Sequence, residues 1–402
     1  MSERAPLLDD YRKVVPPNII DLIYRLAERV RGRSVVHVNS TRVGGGVAEM
    51  LHRYIPLFQD LGVEARWEVI SGSEAFFRVT KSFHNALQGQ EQVFTEEMLQ
   101  TYLEVNRENA ARLDLGADVM IVHDPQPAAL IAYAPKRGKW IWRCHIDISR
   151  PQRRAWNFIR QFIVKYDGAI FSLPKFSQRL PIPQYLIYPS IDPLSEKNRD
   201  LTEEEVNAVL DRLNIPRDKP ILLQVSRFDR FKDPIGVINA YRIVKKHDDC
   251  RLVLAGGSAE DDPEGPQVLS EVLEAAAGDP DIHVLVLPPT ANLEINALQR
   301  AATIILQKSI REGFGLTVAE GMWKGKPVIG GFAGGITVQI IYGVNGYTVN
   351  SVEGCAFRIR YLLNNPDLAR QMGENAREYV RQNFLITRDL IDHLALMVSL
   401  LG

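Results

Sequence analysis

The stretch SVVHVNSTRVGGGVAEML, residues 34–51, runs from a β-branched segment through a glycine turn into a helical pattern that ends at Gly62. A strand, a tight turn and a helix in that order make half of a βαβ unit. Upstream, Pro17 opens a helical stretch to residue 31, with Ile19, Ile20, Leu22, Ile23, Leu26, Ala27 and Val30 at helical spacing. Downstream, strands are expected near 66–70, 119–122, 140–144 and 169–173, with amphipathic segments between them. Strands alternating with helices imply right-handed crossovers and a parallel sheet covered on both faces, so the fold class is α/β.

At 188–200 the pattern lapses into YPSIDPLSEKNRD, polar and twice interrupted by proline, which reads as an interdomain hinge. From Pro220 the rhythm restarts with ILLQVS, RLVLAG, IHVLVL, TIILQ, PVIGG and YTV as strands. The expected domains are 1–190 and 200–384. The last helix, about 387–401, carries a broad apolar face (Leu390, Ile391, Leu394, Ala395, Val398, Leu401) and must pack beyond its own turn. Two doubly wound domains are expected to face each other across a cleft, with ligands at the carboxyl ends of the strands.

Composition narrows the function. The 402 residues hold 48 basic and 49 acidic side chains, a net charge of −1, which argues against a nucleic-acid binder. No apolar run reaches the roughly 18 residues of a membrane helix, and the first residues lack a signal-peptide core. Three widely spaced cysteines, Cys144, Cys250 and Cys355, suit a reducing cytoplasm better than a disulfide framework.

Candidate chemistry lies just after the strands. Gly44, Gly45 and Gly46 let the backbone approach an anion or sugar at a helix start, or simply make a tight turn. Their spacing fits neither a dinucleotide fingerprint nor a Walker loop. Arg227 and Lys232 leave the strand ILLQV in SRFDRFKDP, where two cations suit a diphosphate leaving group; the plain alternative pairs them with Asp229 and Asp233. Phe228 and Phe231 are expected to hold that loop. After TIILQ comes IREGFGLTVAEG, residues 310–321, with Glu312 in a glycine-bearing loop and Glu320 in the first turn of a helix. Thr317-x-x-Glu320 also fits a capping box, whereas Glu312 has no obvious cap to make. His123 with Asp124, and His145 with Asp147, follow two strands of the first half and are candidates for an acceptor pocket. His37, inside a strand, reads as a satisfied core residue. His52, His247, His283 and His393 have no motif context. Asp279-Pro280-Asp281, the one Asp-x-Asp, precedes its strand and so lies at the amino edge, away from the expected site.

Glu, seven residues, Glu, with Gly-Phe-Gly between and an Arg and a Lys five apart upstream, resembles the retaining glycosyltransferases of the glycogen-synthase-like group, whose fold is GT-B. KSFHNALQG (81–89) and WRCHID (142–147) resemble the trehalose glycosyltransferring synthases, of which trehalose phosphorylases are near relatives. The resemblance covers almost the whole chain. It implies an NDP-glucose donor and free glucose giving α,α-trehalose, with these small molecules as the partners and room for a homodimer. It gives Arg227 and Lys232 to the diphosphate, Glu320 to the ribose and Glu312 to the donor glucose. The backbone of Gly313, Phe314 and Gly315 is implied at the sugar hydroxyls, that of Leu316 and Thr317 at the phosphate, and Gly44 to Gly46 near both. It puts His145 beside the reacting sugar and draws His84, Asn85 and Gln88 into the acceptor side. It also implies that the last helix, 385–402, packs back on the first domain. No metal or other cofactor is required on this reading, which leaves room for stimulation by magnesium. The implied mechanism is front-side attack, with domain closure excluding water. Base contacts are expected from the loop around Leu287 to Asn292. The rivals are a trehalose phosphorylase, a GT-B sugar-nucleotide 2-epimerase, a nicotinamide dehydrogenase and a non-enzymatic sugar-binding protein.

Overall fold

The computed structural model describes residues 6–43, 46–257 and 265–402. It divides into two compact units: Ser190–Ile386 forms one, and Thr387–Gly402 joins the chain up to Pro189 in the other. Among the described residues no helix is long and apolar enough to cross a membrane.

The first unit is built on β1 (Ser34–Asn39), β2 (Glu64–Val69), β3 (Val119–His123), β4 (Lys139–Cys144), β5 (Gly168–Phe171) and β6 (Gln184–Leu186). They lie in the order β2-β1-β3-β4-β5-β6, every neighbouring pair parallel. β3, β4 from Trp140 on, and β5 are buried throughout, as strands covered on both faces must be. β6 is a three-residue edge strand with no buried position, so periodicity gave no sign of it. Helices Pro17–Glu28 and Gly46–Asp60 flank β1; the first starts on Pro17, whose missing N–H costs nothing at that position.

The second unit contains β7 (Ile221–Val225), β8 (Arg251–Gly256), β9 (Ile282–Val286), β10 (Ile304–Gln307), β11 (Val328–Gly331) and β12 (Gly346–Val349). Their order, β12-β11-β10-β7-β8-β9, is again all parallel and reverses direction between β7 and β10. At such a switch point the helices after the two strands go to opposite faces and leave a crevice at the carboxyl ends. One face carries Val237, Val268, Ile359 and their neighbours in a continuous apolar core.

The polar stretch 188–200 is not a free linker beyond Pro189. Ile191 pairs with Leu385, Asn198 is buried, and its side-chain oxygen accepts from Lys324 Nζ at 2.7 Å.

Asp279-Pro280-Asp281 sits at the amino edge of β9 and forms a structural charge cluster. Asp281 accepts from Lys219 (2.8 Å), Lys245 (2.7 Å) and Arg251 (3.1 Å). The two lysines hold its carboxyl down to about 2, against the effect of burial. A depressed carboxylate contributes stability above its unfolded range, which is lost as pH falls from about 4 toward 2. Asp281→Asn is expected to lower the unfolding free energy at pH 7 by about 3 kcal/mol. It should also flatten the loss between pH 4 and pH 3 in urea titrations (about the range in which the unfolded carboxylate protonates while the native one stays largely ionised); an unchanged slope would show that the cluster is not linked to folding.

Candidate active site

In the second unit, Ser226 N–H still bonds back to the sheet through Ala255 O, and Arg227 then turns outward, half-exposed, 3.4 Å from Asp229 Oδ2. Asp229 caps the single turn Arg230–Lys232 by accepting from Lys232 N. That turn aims Lys232 at the neighbouring strand end. Its Nζ lies 2.7 Å from Glu312 Oε2, to which Ser309 Oγ also donates at 3.0 Å. The plain alternative for the basic loop therefore holds for Arg227 with Asp229 and fails for Lys232. Asp233 instead caps the helix Pro234–Lys245 and pairs with Lys308. Phe228 is buried, while Phe231 is partly exposed beneath the Arg311 guanidinium.

Glu312 to Gly315 is held from behind. Gly335 N–H donates to Gly313 O at 2.8 Å, and Gln339 Nε2 donates to Phe314 O at 2.6 Å. Phe314 is buried against Phe384. With these carbonyls occupied, Gly315 at φ +83° turns the chain into the helix Leu316–Trp323 and gives it no side-chain cap. The first-turn amides, including those of Leu316 and Thr317, thus start a helix whose positive end carries no side-chain cap. The capping box read at Thr317 does not form, because the helix starts two residues earlier at Gly315. Thr317 Oγ1 donates to Gln307 Oε1 instead. Glu320 is buried, accepts from Gln299 Nε2 at 3.3 Å and lies 3.8 Å from Lys197. Beneath it, burial pushes the Lys324 ammonium down to about 7. Residues 287–291 form the loop between β9 and the next helix, tied to β8 through Leu287 N–H and Gly256 O.

In the first unit, Gly44 and Gly45 lie outside the described residues; Gly46 is the first residue of the helix Gly46–Asp60. The start of that loop is anchored: Asn39 Nδ2 donates to Thr41 O, and the Arg42 guanidinium covers Trp67 while donating to its carbonyl. His123 is fully buried at the end of β3. Asp124 follows it at φ +65°, with its Oδ1 accepting from His145 N at 2.8 Å. Burial raises the Asp124 carboxyl to about 7, although the His145 N–H and Arg143 oppose the shift. His145 Nε2 meets His123 Nδ1 at 2.9 Å. Asp147 closes a local turn with Ser149 N–H. His84, Asn85 and Gln88 stand partly exposed at the carboxyl end of the helix Glu74–Leu87.

Sequence reasoning missed four participants. Ser309 and Gln339 carry no local motif. His37 is only half satisfied, with Nδ1 on His123 and Nε2 without a partner. His393 lies buried in the last helix against Arg143 and Asp389. Among the described residues, no group of three or more His, Cys, Asp or Glu is arranged to hold a metal ion.

Comparison with known proteins bears on both units. Residues 37–178 match the family described as trehalose synthase, N-terminal domain, and residues 207–379 match glycosyl transferases group 1. A trehalose synthase of Pyrococcus horikoshii is 49% identical over 401 residues, covering 98% of this chain and 97% of that protein. A trehalose phosphorylase of Grifola frondosa is 30% identical and is covered over 58% of its length, with 93% of this chain matched. In fold, the chain is similar to an α,α-trehalose-phosphate synthase (UDP-forming) from Burkholderia xenovorans, with TM-score 0.74 and 12% identity over 91% of this chain and 100% of that one.

Proposed function

We infer the reaction from one premise: the chain belongs to the trehalose synthase family of GT-B glycosyltransferases. It transfers glucose from an NDP-glucose to free glucose, making α,α-trehalose and NDP with retention. The observation that carries this reading is the Lys232–Glu312 pair at the β7/β10 switch point, beside a helix start that has no cap of its own. A cation, a carboxylate and free amides converge there, as a sugar diphosphate requires.

Arg227 and Lys232 stabilise the charge that grows on the departing diphosphate, helped by the amides of Leu316 and Thr317. Glu312 orients the donor glucose and Glu320 the ribose. No carboxylate is assigned as a covalent nucleophile. The leaving diphosphate takes the proton of the incoming hydroxyl as the new glycosidic bond forms on the same face. The enzyme contributes orientation and electrostatics. His145 and Asp124 bind sugar on the first unit, with His123, Asp147, His84, Asn85 and Gln88 around the acceptor. The positive field comes from protein groups, so the chemistry proceeds without a metal cofactor, and magnesium acts at most as a stimulant. The setting is cytoplasmic, in keeping with three buried free thiols. The partners are its small-molecule substrates.

The test is a panel of ADP-, GDP- and UDP-glucose with glucose, glucose 6-phosphate and inorganic phosphate, with products identified by NMR. Trehalose from an NDP-glucose and free glucose is the expected product, and activity should survive excess EDTA. Glucose 1-phosphate formed from trehalose and phosphate, without NDP-dependent transfer, would make it a phosphorylase instead.

A further inference from the structure

Three histidines form a diagonal row across the first sheet. His37 on β1 is level with Ile121 of β3; His123, two residues on, is level with Arg143 of β4; and His145 comes two residues after that. Steps of two keep all three side chains on one face. The rings stack at 5.2 Å, and both N···N contacts measure 2.9 Å, His37 Nδ1 to His123 Nε2 and His123 Nδ1 to His145 Nε2.

Each contact needs one donor and one acceptor, and an imidazolium has no acceptor to give. Burial keeps all three rings neutral, pushing their basicity well below the usual histidine range. Protons can then run in only two directions. Pointing from His145 toward His37, the row would end on a protonated His37 Nε2, a buried N–H with no acceptor. Pointing the other way, it ends there on a bare lone pair. That lone pair lies in the positive field of Arg143, whose Nε and Nη2 are also buried without partners. Arg143 Nη1 donates to His393 Nε2 at 2.6 Å, which leaves His393 Nδ1–H to face Asp389. A buried orphan donor costs more than an underused acceptor, so the second direction wins.

We propose that His37 and His123 are positioning residues that hold His145 with its proton on Nδ1, so that His145 donates a hydrogen bond to an oxygen of the reacting sugars and does not serve as their base. This rests on the reading that His145 lines the site. Its Nδ1 makes no hydrogen bond among the described residues and is the atom left for substrate.

The experiment is long-range proton–nitrogen NMR on the full chain carrying 15N-histidine, with assignment by single substitutions. Wild type is expected to show His145 protonated at Nδ1 and bare at Nε2, with both signals moving when NDP and glucose are added. His37→Leu removes the end of the row. It should mix the His145 tautomers and lower kcat about tenfold with KM for NDP-glucose changed less than twofold. His37→Asn, whose amide can replace the Nδ1–H donor, should restore most of the rate. A wild-type His145 protonated at Nε2 overturns the proposal, and needs no variant to fold. If the Nδ1–H form is found but NDP and glucose leave its signals in place, and His145→Ala keeps the wild-type rate, the site reading fails and the row has no catalytic role.

Discussion

Lys232→Ala is expected to cut kcat/KM for NDP-glucose by roughly ten- to more than a hundredfold, from the loss of one charge-assisted hydrogen bond of about 1.5–3 kcal/mol in the transition state. The lysine is placed for this. Its side chain is only 17% exposed, and its ammonium already sits 2.7 Å from a carboxylate at the switch point of the sheet. A diphosphate arriving there exchanges one anionic partner for another, so the lysine need not be desolvated again. Removing it also strips Glu312 of its cation and leaves its carboxylate with the Ser309 hydroxyl as a donor. The double variant Lys232→Ala/Glu312→Gln separates the two effects: it relieves the lone carboxylate without restoring phosphate binding, so its NDP affinity, read by calorimetry, should stay as low as that of Lys232→Ala. Lys232→Arg is not a neutral control, since a planar fork cannot replace a point charge on so short a loop. A single variant within twofold of wild type would take the phosphate away from Lys232.

The second large effect concerns a residue with no chemistry of its own. Gly334 stands at φ +47°, and a Cβ there would lie 1.6 Å from Glu312 O and 2.5 Å from Glu312 C. Those are backbone atoms of the site loop, not the tip of a side chain that can swing aside. Gly334→Ala must therefore push Glu312 and Gly313 away from Lys232 or unwind its own turn. Displacement of reacting groups by about 1 Å can cost on the order of a hundredfold in rate, and that is the expected loss of kcat/KM. Stability should fall less steeply, by about 1–3 kcal/mol, from the strained conformation. A thermal melt beside the kinetics checks both. A rate within threefold of wild type would mean that the loop absorbs the methyl group without moving Glu312.

The two predictions also mark what the amino-acid sequence made legible. Arg227, Lys232, Glu312 and Glu320 stood out because the strand-to-helix period is local, and residues just past strands are readable without knowing strand order. Pairing of Lys232 with Glu312 was not readable in that way. It spans 80 residues and exists only because β7 and β10 are neighbours despite two strands between them in sequence. The histidine row depends on register for the same reason; His37 alone is indistinguishable from any core histidine. The Thr317 capping box was a sound local reading overruled by one glycine, since a left-handed Gly315 starts the helix two residues earlier. Gly334 lay inside GGFAGG, where sequence gives no means of telling which glycine the backbone presses against.

One feature of the division into units bears on how the protein is made. Ser190–Ile386 is continuous, whereas the other unit is completed only by Thr387–Gly402. During vectorial synthesis, therefore, the segment translated second has all its parts before the segment translated first does. Until the final helix emerges, Arg143 has been produced without the His393 that accepts from it, and the earlier half waits, open on one side, for a strap delivered after its neighbour has closed.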